Sequence, residues 1–166
     1  MSGRPVVDSV AFARKGGRHS GAFPIKRFER LNSVLFDTEG EVLYVLDGDV
    51  NADGKPSLRL QVNGMLGLAC QRCLGRVVFE LATEREFVLV GDDEQLQDVA
   101  EEDARLEHIP ADPKLDLADF VESEILLELP ISALHRVEEC KPPDWGTGKS
   151  GQDMPFGALG SLKRNS

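Results

Sequence analysis

No stretch of this chain approaches the roughly 18 consecutive apolar residues that a membrane-spanning helix requires, and Met1 to Gly17 has no apolar core ahead of a cleavage site. A cytoplasmic location is expected. Basic residues are scarce as well: 19 Lys plus Arg stand against 29 Asp plus Glu, a formal charge of −10. Proteins that coat nucleic acid take most of their affinity from cations facing phosphates, so this balance argues against that class. Cysteine is limited to three residues, and a chain of this size buries about 70% of its unfolded surface without disulfide staples. The signatures of common enzymes are missing too. There is no G-x-S-x-G elbow, no H-E-x-x-H helix and no Cys-His nucleophile pair with an orienting acid. Gly148-Lys149-Ser150 imitates the end of a phosphate-binding loop, but Pro143 stands where its first glycine belongs.

What remains has the composition of an ordinary globular domain, with 41% hydrophobic and 29% charged residues. Residues 24–140 read as one domain, preceded by an arm over 1–23 and followed by a flexible linker and a short apolar and basic tail over 141–166. Charge is unevenly spread. Residues 1–34 carry seven basic and two acidic side chains, whereas 92–128 carry fourteen acidic and two basic. The acidic run reads either as a solvated loop leading into a helix or as a partner surface.

Periodicity supplies the elements. Pro24 opens a short helix in which Ile25, Phe28, Leu31 and Leu35 share a stripe and Lys26, Arg27 and Arg30 lie away from it. From Glu41 the period becomes two: 41–50, 58–70 and 76–90 alternate apolar and polar residues as half-buried strands. Asp92 to Pro113 lacks any period and reads as a long acidic loop. Asp116 is the expected N-cap of an amphipathic helix over 116–129 that carries Leu117, Phe120, Val121 and Ile125, and Pro130 stops it. The expected fold class is α+β: an antiparallel meander covered by that helix, with a short N-terminal helix and a flexible C-terminal tail.

The strongest local motif is Cys70-Gln71-Arg72-Cys73, in the turn joining the two long strands. Two thiolates on one side of a tight turn supply half of a zinc site. Cys140 and His135 complete a chemically sensible tetrahedron whose closed shell would be structural rather than hydrolytic. The alternative is that Cys70 continues the buried strand face and the other thiols are incidental. Asp49, Asn51, Asp53, Gly54 and Ser57 imitate the start of a calcium loop, but Leu60 replaces the bidentate Glu and strands flank the segment, so a hairpin turn is expected. In the tail, Phe156, Leu159 and Leu162 could line one face of a short helix docking on a partner or on this protein's own sheet.

Leu68 to Leu74 around the cysteine pair, the helix running into Leu129-Pro130, His135 to Cys140, and Pro155-Phe156 through Leu162-Lys163 together resemble the YceD family of large ribosomal RNA subunit accumulation proteins. The resemblance covers most of residues 24–166. It implies a cytoplasmic bacterial factor supporting synthesis, processing or stability of large-subunit (23S) ribosomal RNA, with no enzymatic activity. Some similar members carry a second close cysteine pair near the C-terminus, where this chain has only Cys140 with His135 nearby.

Two modes of assistance fit the charge map. In one, Lys26, Arg27, Arg30, Arg72 and Arg76 contact phosphates of a precursor RNA. In the other, the acidic stretch from Asp92 to Glu107 shields a basic large-subunit ribosomal protein. One structural zinc is the cofactor to look for; neither a membrane nor a small-molecule substrate is expected. The alternative from another class is a zinc-dependent hydrolase or nuclease acting on precursor RNA, against which stands the lack of a recognisable acid/base pair beside the cysteines.

Overall fold

The structure, a computed structural model, describes residues 5–91 and 107–141. Most of the acidic stretch, Gly148 to Ser150 and the tail residues Phe156, Leu159 and Leu162 lie outside the described residues. The elements in chain order are β1 (Val6–Val7), α1 (Ser9–Arg14), β2 (Arg18–Pro24), a 3-10 turn (Ile25–Arg27), α2 (Glu29–Asn32), β3 (Glu41–Val50), β4 (Pro56–Ala69), β5 (Arg76–Val90), β6 (Glu107–Pro110), β7 (Leu115–Asp116) and α3 (Leu117–Glu128). A five-stranded sheet runs in the order β2-β3-β4-β5-β6, and β1 pairs with β7 in a separate ribbon. Strands β2 to β5 are antiparallel neighbours and β6 lies parallel to β5. The α+β class and the three-strand meander are as the alternation indicates.

The period of two explains the sheet. On β4, Leu58, Leu60, Val62, Leu66 and Leu68 are buried while Arg59, Asn63 and Met65 are exposed, so one face packs and the other meets solvent. α3 covers the packed face. Asp116 caps it by accepting from the Ala118 and Asp119 amides, and Leu117, Val121 and Ile125 are buried. Phe120 meets Phe87 edge-on at a centroid distance of 5.0 Å.

Several expectations need correction. The 24–35 segment is not one helix: Phe28, with φ −85° and ψ 104°, breaks it into the 3-10 turn and the single turn of α2. Its stripe still points inward, with Ile25, Phe28 and Leu31 buried, because Phe28 leaves the helical path to lie edge-on to Phe23. Residues 5–23 do not form a detached arm, since α1 packs on the sheet and β2 pairs with β3 from Arg18 to Pro24. Glu107 to Pro110 is strand rather than loop, because β5 offers its outer edge there. His19 is half-buried: its ring stacks on Tyr44 and its Nδ1 hydrogen-bonds the Tyr44 hydroxyl at 3.0 Å. The hairpin reading of 49–57 holds, with Asn51 Oδ1 accepting from the Asp53 and Lys55 amides and Gly54 at φ +77°.

Gly48 is what lets α1 approach β3. A Cβ there would lie 2.7 Å from both the Ala13 Cα and the Phe12 carbonyl oxygen, so the obstacle is backbone. Gly48→Ala is expected to cost about 1–3 kcal/mol through forced displacement of α1, measured as a lower urea midpoint at unchanged slope. An unchanged midpoint would show that α1 is free to shift.

The seam between α3, β5 and β6 is acidic. Arg85 faces Glu124 at 3.3 Å, Glu128 at 3.3 Å and Glu107 at 3.7 Å. Burial pushes the Glu124 carboxyl up, Glu107 and Glu128 add to the rise, and Arg85 opposes it. The folded state therefore holds this proton more tightly than the unfolded chain does. Stability from the group is full below the unfolded value of about 4.3 and falls as pH rises through the folded value. Glu124→Gln is expected to raise the urea midpoint at neutral pH, with the gain disappearing below pH ~4. A gain of the same size at both pH values would show that packing, not ionisation, is responsible.

Candidate metal centre

The two longest strands, β4 and β5, are joined by the six residues Cys70 to Gly75, which form a knuckle. The Cys70 amide donates to the Gly75 carbonyl at 2.8 Å and the Leu74 amide to the Cys70 carbonyl at 2.9 Å. Leu74 takes φ +60°, a left-handed conformation that costs a leucine about 1–2 kcal/mol. The closed turn carries Cys70 and Cys73 on one side.

Beyond Pro130 the chain returns to this knuckle. The Gln71 amide donates to the Ala133 carbonyl at 2.9 Å, and the Arg72 guanidinium donates to the His135 carbonyl at 3.2 Å. A final turn, in which the Glu139 and Cys140 amides donate to the Arg136 carbonyl, presents Cys140. Cys70, Cys73, His135 and Cys140 thus converge, each offering one ligand atom, with all four atoms within 4.8 Å of one another. Cys70 is buried and the other three are half-buried.

The distances suit a tetrahedral cation. Cys70 Sγ lies 3.8 Å from Cys140 Sγ, and Cys73 Sγ lies 3.2 Å from His135 Nδ1. Zinc–sulfur bonds of about 2.3 Å at the tetrahedral angle give an S···S edge of about 3.8 Å. His135 Nε2 sits 2.8 Å from the Arg76 carbonyl oxygen. That carbonyl can only accept, so it holds a proton on Nε2 and turns Nδ1 toward the thiols, where loss of the Nδ1 proton would give the arrangement a metal-ligating histidine uses. The Arg76 carbonyl was not foreseeable from side-chain spacing, since a backbone atom leaves no mark in residue type.

The close packing of the four groups shifts protonation within the cluster in opposite directions. The Cys73 amide lowers the Cys70 thiol most; burial opposes it, and the His135 and Arg72 amides and the Cys73 thiol help to bring it to about 5. Cys140 moves the other way, to about 11, first through burial and then through the neighbouring Cys70 and Cys73. The bond to the Arg76 carbonyl and the adjacent thiols favour protonated His135. The four groups can hold a metal ion with every tetrahedral position filled by protein.

The five expected cationic contacts are placed differently. Arg30 is drawn to α3, where Nε donates to Glu122 Oε2 at 3.1 Å and the guanidinium also reaches the Asp119 carbonyl and the Ser123 hydroxyl. Arg76 is paired with Asp37, and Arg72 braces the knuckle. Arg27 lies over the Phe23 ring at 5.1 Å, and Lys26 is exposed.

No solved structure matches this chain. A family model described as Large ribosomal RNA subunit accumulation protein YceD matches residues 58–163, a span that contains all four converging donors. Because the match covers well over half of the sequence, the chain belongs to the YceD family.

Proposed function

We propose that this protein is a non-enzymatic, cytoplasmic factor in biogenesis of the large ribosomal subunit, that it holds a basic ribosomal protein, and that its knuckle is pinned by one structural zinc. The family's name gives the coarse role, accumulation of the large ribosomal RNA subunit. The observation that carries the choice of mode is the fate of the cations. Of the five residues expected to face RNA phosphates, Arg30 and Arg76 are held in ion pairs with Glu122 and Asp37, and Arg72 is bound to the His135 carbonyl. A guanidinium already satisfied by a carboxylate contributes little to phosphate binding. With a net charge of −10 the chain attracts a cationic protein more readily than an RNA.

The zinc reading rests on donor chemistry. Cys70, Cys73, Cys140 and His135 would hold the ion, which would supply a cross-link between the β4–β5 knuckle and residues 133–140. A four-donor shell offers no position for an activated water, which supports scaffold over hydrolase.

Affinity capture of the full-length chain from growing cells tests the partner. A basic large-subunit ribosomal protein should be recovered at low salt and lost steeply as salt rises, because exposed charge pairs are screened within a Debye length of about 8 Å at physiological ionic strength. Recovery of naked precursor RNA that persists at high salt would contradict the proposal.

A further inference from the structure

The sheet face turned away from α3 gathers its exposed apolar side chains in one place. Leu43, Met65 and Val78 are 53%, 55% and 53% exposed and sit on the neighbouring strands β3, β4 and β5. Register explains the cluster: Leu43 opposes Asn63, which opposes Ala82, and Met65 opposes Glu80 one row along. Leu43 and Met65 line a shallow hollow of about 400 Å³ with Glu41 and Glu80 beside them. Farther along the same face the carboxylates are matched, Glu84 and Glu86 by Arg59 and Asp47 by Arg18. Glu41 and Glu80 form no ion pair among the described residues.

We infer that this hollow docks an extended, lysine- or arginine-rich protein segment, with an apolar side chain seated on Met65 and Leu43 and cations on Glu41 and Glu80. An apolar patch alone would not name its occupant; two unmatched carboxylates flanking it select a cationic one. Their strands lie two spacings apart, about 9–10 Å. Side chains at alternate positions of an extended chain share one face, so a basic-x-apolar-x-basic segment presents two cations, about 14 Å apart at Cα, on the same side as its apolar residue, and their flexible stems can converge on that gap. The same carboxylates repel a phosphate backbone. The inference rests on the basic-partner reading above and specifies its contact surface.

Fluorescence anisotropy on the full-length chain tests it, with a labelled Lys-Ser-Leu-Ser-Lys-Ser-Leu-Ser-Lys peptide, which carries its basic and apolar residues on one face when extended, as probe. The controls are a peptide of equal charge with serine at the apolar positions and a single-stranded RNA oligonucleotide. The apolar-cationic peptide should bind best. Glu41→Gln with Glu80→Gln should weaken it about ten-fold, Met65→Lys should abolish it, and Glu84→Gln with Glu86→Gln should change it little. Equal binding by the Glu41/Glu80 variant, equal binding of the serine peptide, preference for RNA, or dimerisation relieved by Met65→Lys would each overturn the inference. Capture from cells separates the two levels. Equal recovery of the ribosomal protein by wild type and the Glu41/Glu80 variant moves the contact elsewhere and leaves the proposed function standing, whereas no recovery by wild type removes that function.

Discussion

Cys70→Ser combined with Cys73→Ser is expected to take bound zinc from one per chain to none and to lower the melting temperature by about 10 °C. Little else holds the segment after α3. Ile131 is fully exposed and Val137 is 77% exposed, so this stretch contributes little apolar burial. Apart from the contacts among the four clustered side chains themselves, it is tied to the knuckle by hydrogen bonds from Gln71, Arg72 and His135, each worth about 1 kcal/mol net. An ion bound roughly a thousand times tighter than its free concentration adds about 4 kcal/mol to the folded state, and a domain of this size loses roughly 3 °C per kcal/mol. Amide exchange should localise the loss, with protection falling first at Gln71, Leu74 and Cys140. A double variant that melts like wild type, from a wild type that carries no zinc, would make the four residues an ordinary polar cluster.

Glu122→Ala is expected to cost about 2–3 kcal/mol, through a different mechanism. The Glu122 side chain is only 6% exposed, and both of its oxygens are engaged. Oε1 accepts the buried Leu31 amide at 2.9 Å and Oε2 accepts Arg30 Nε at 3.1 Å, which fastens α2 to α3. Truncation leaves a buried amide without a partner and a guanidinium without its carboxylate. Glu122→Gln keeps an acceptor for the amide, so it should recover part of the loss. Urea unfolding of both variants reads the difference, and equal midpoints for Ala and Gln would show that the amide bond is not the source of the stability.

The sheet and α3 were legible because a half-buried strand writes its geometry as alternation and a helix marks its start with a cap. Leu58 to Leu68 and Asp116 are the plainest cases. β2 left no such trace: between Arg18 and Pro24 only Phe23 is buried, and His19, Ser20, Gly21 and Ala22 show no apolar alternation. β6 spans four residues and includes a proline, so its identity comes from the neighbouring β5 edge and not from its own composition. The break at Phe28 was hidden because the apolar spacing is the same whether or not the backbone stays helical; tertiary contact with Phe23 decides it. At the candidate metal centre, residue chemistry and spacing named the four side chains that converge, and the fold supplied the path from Pro130 back to the knuckle. Glu122 could not have been singled out, since its value lies in an amide 91 positions away.

In the proposed role this scaffold retains an assembly partner and transforms nothing. Its most direct test is to incubate purified, zinc-loaded full-length protein with a large molar excess of precursor large-subunit RNA, with and without chelator, and to map RNA ends. No new ends should appear in either condition. Several cleavages per protein molecule, suppressed by the chelator, would contradict that role.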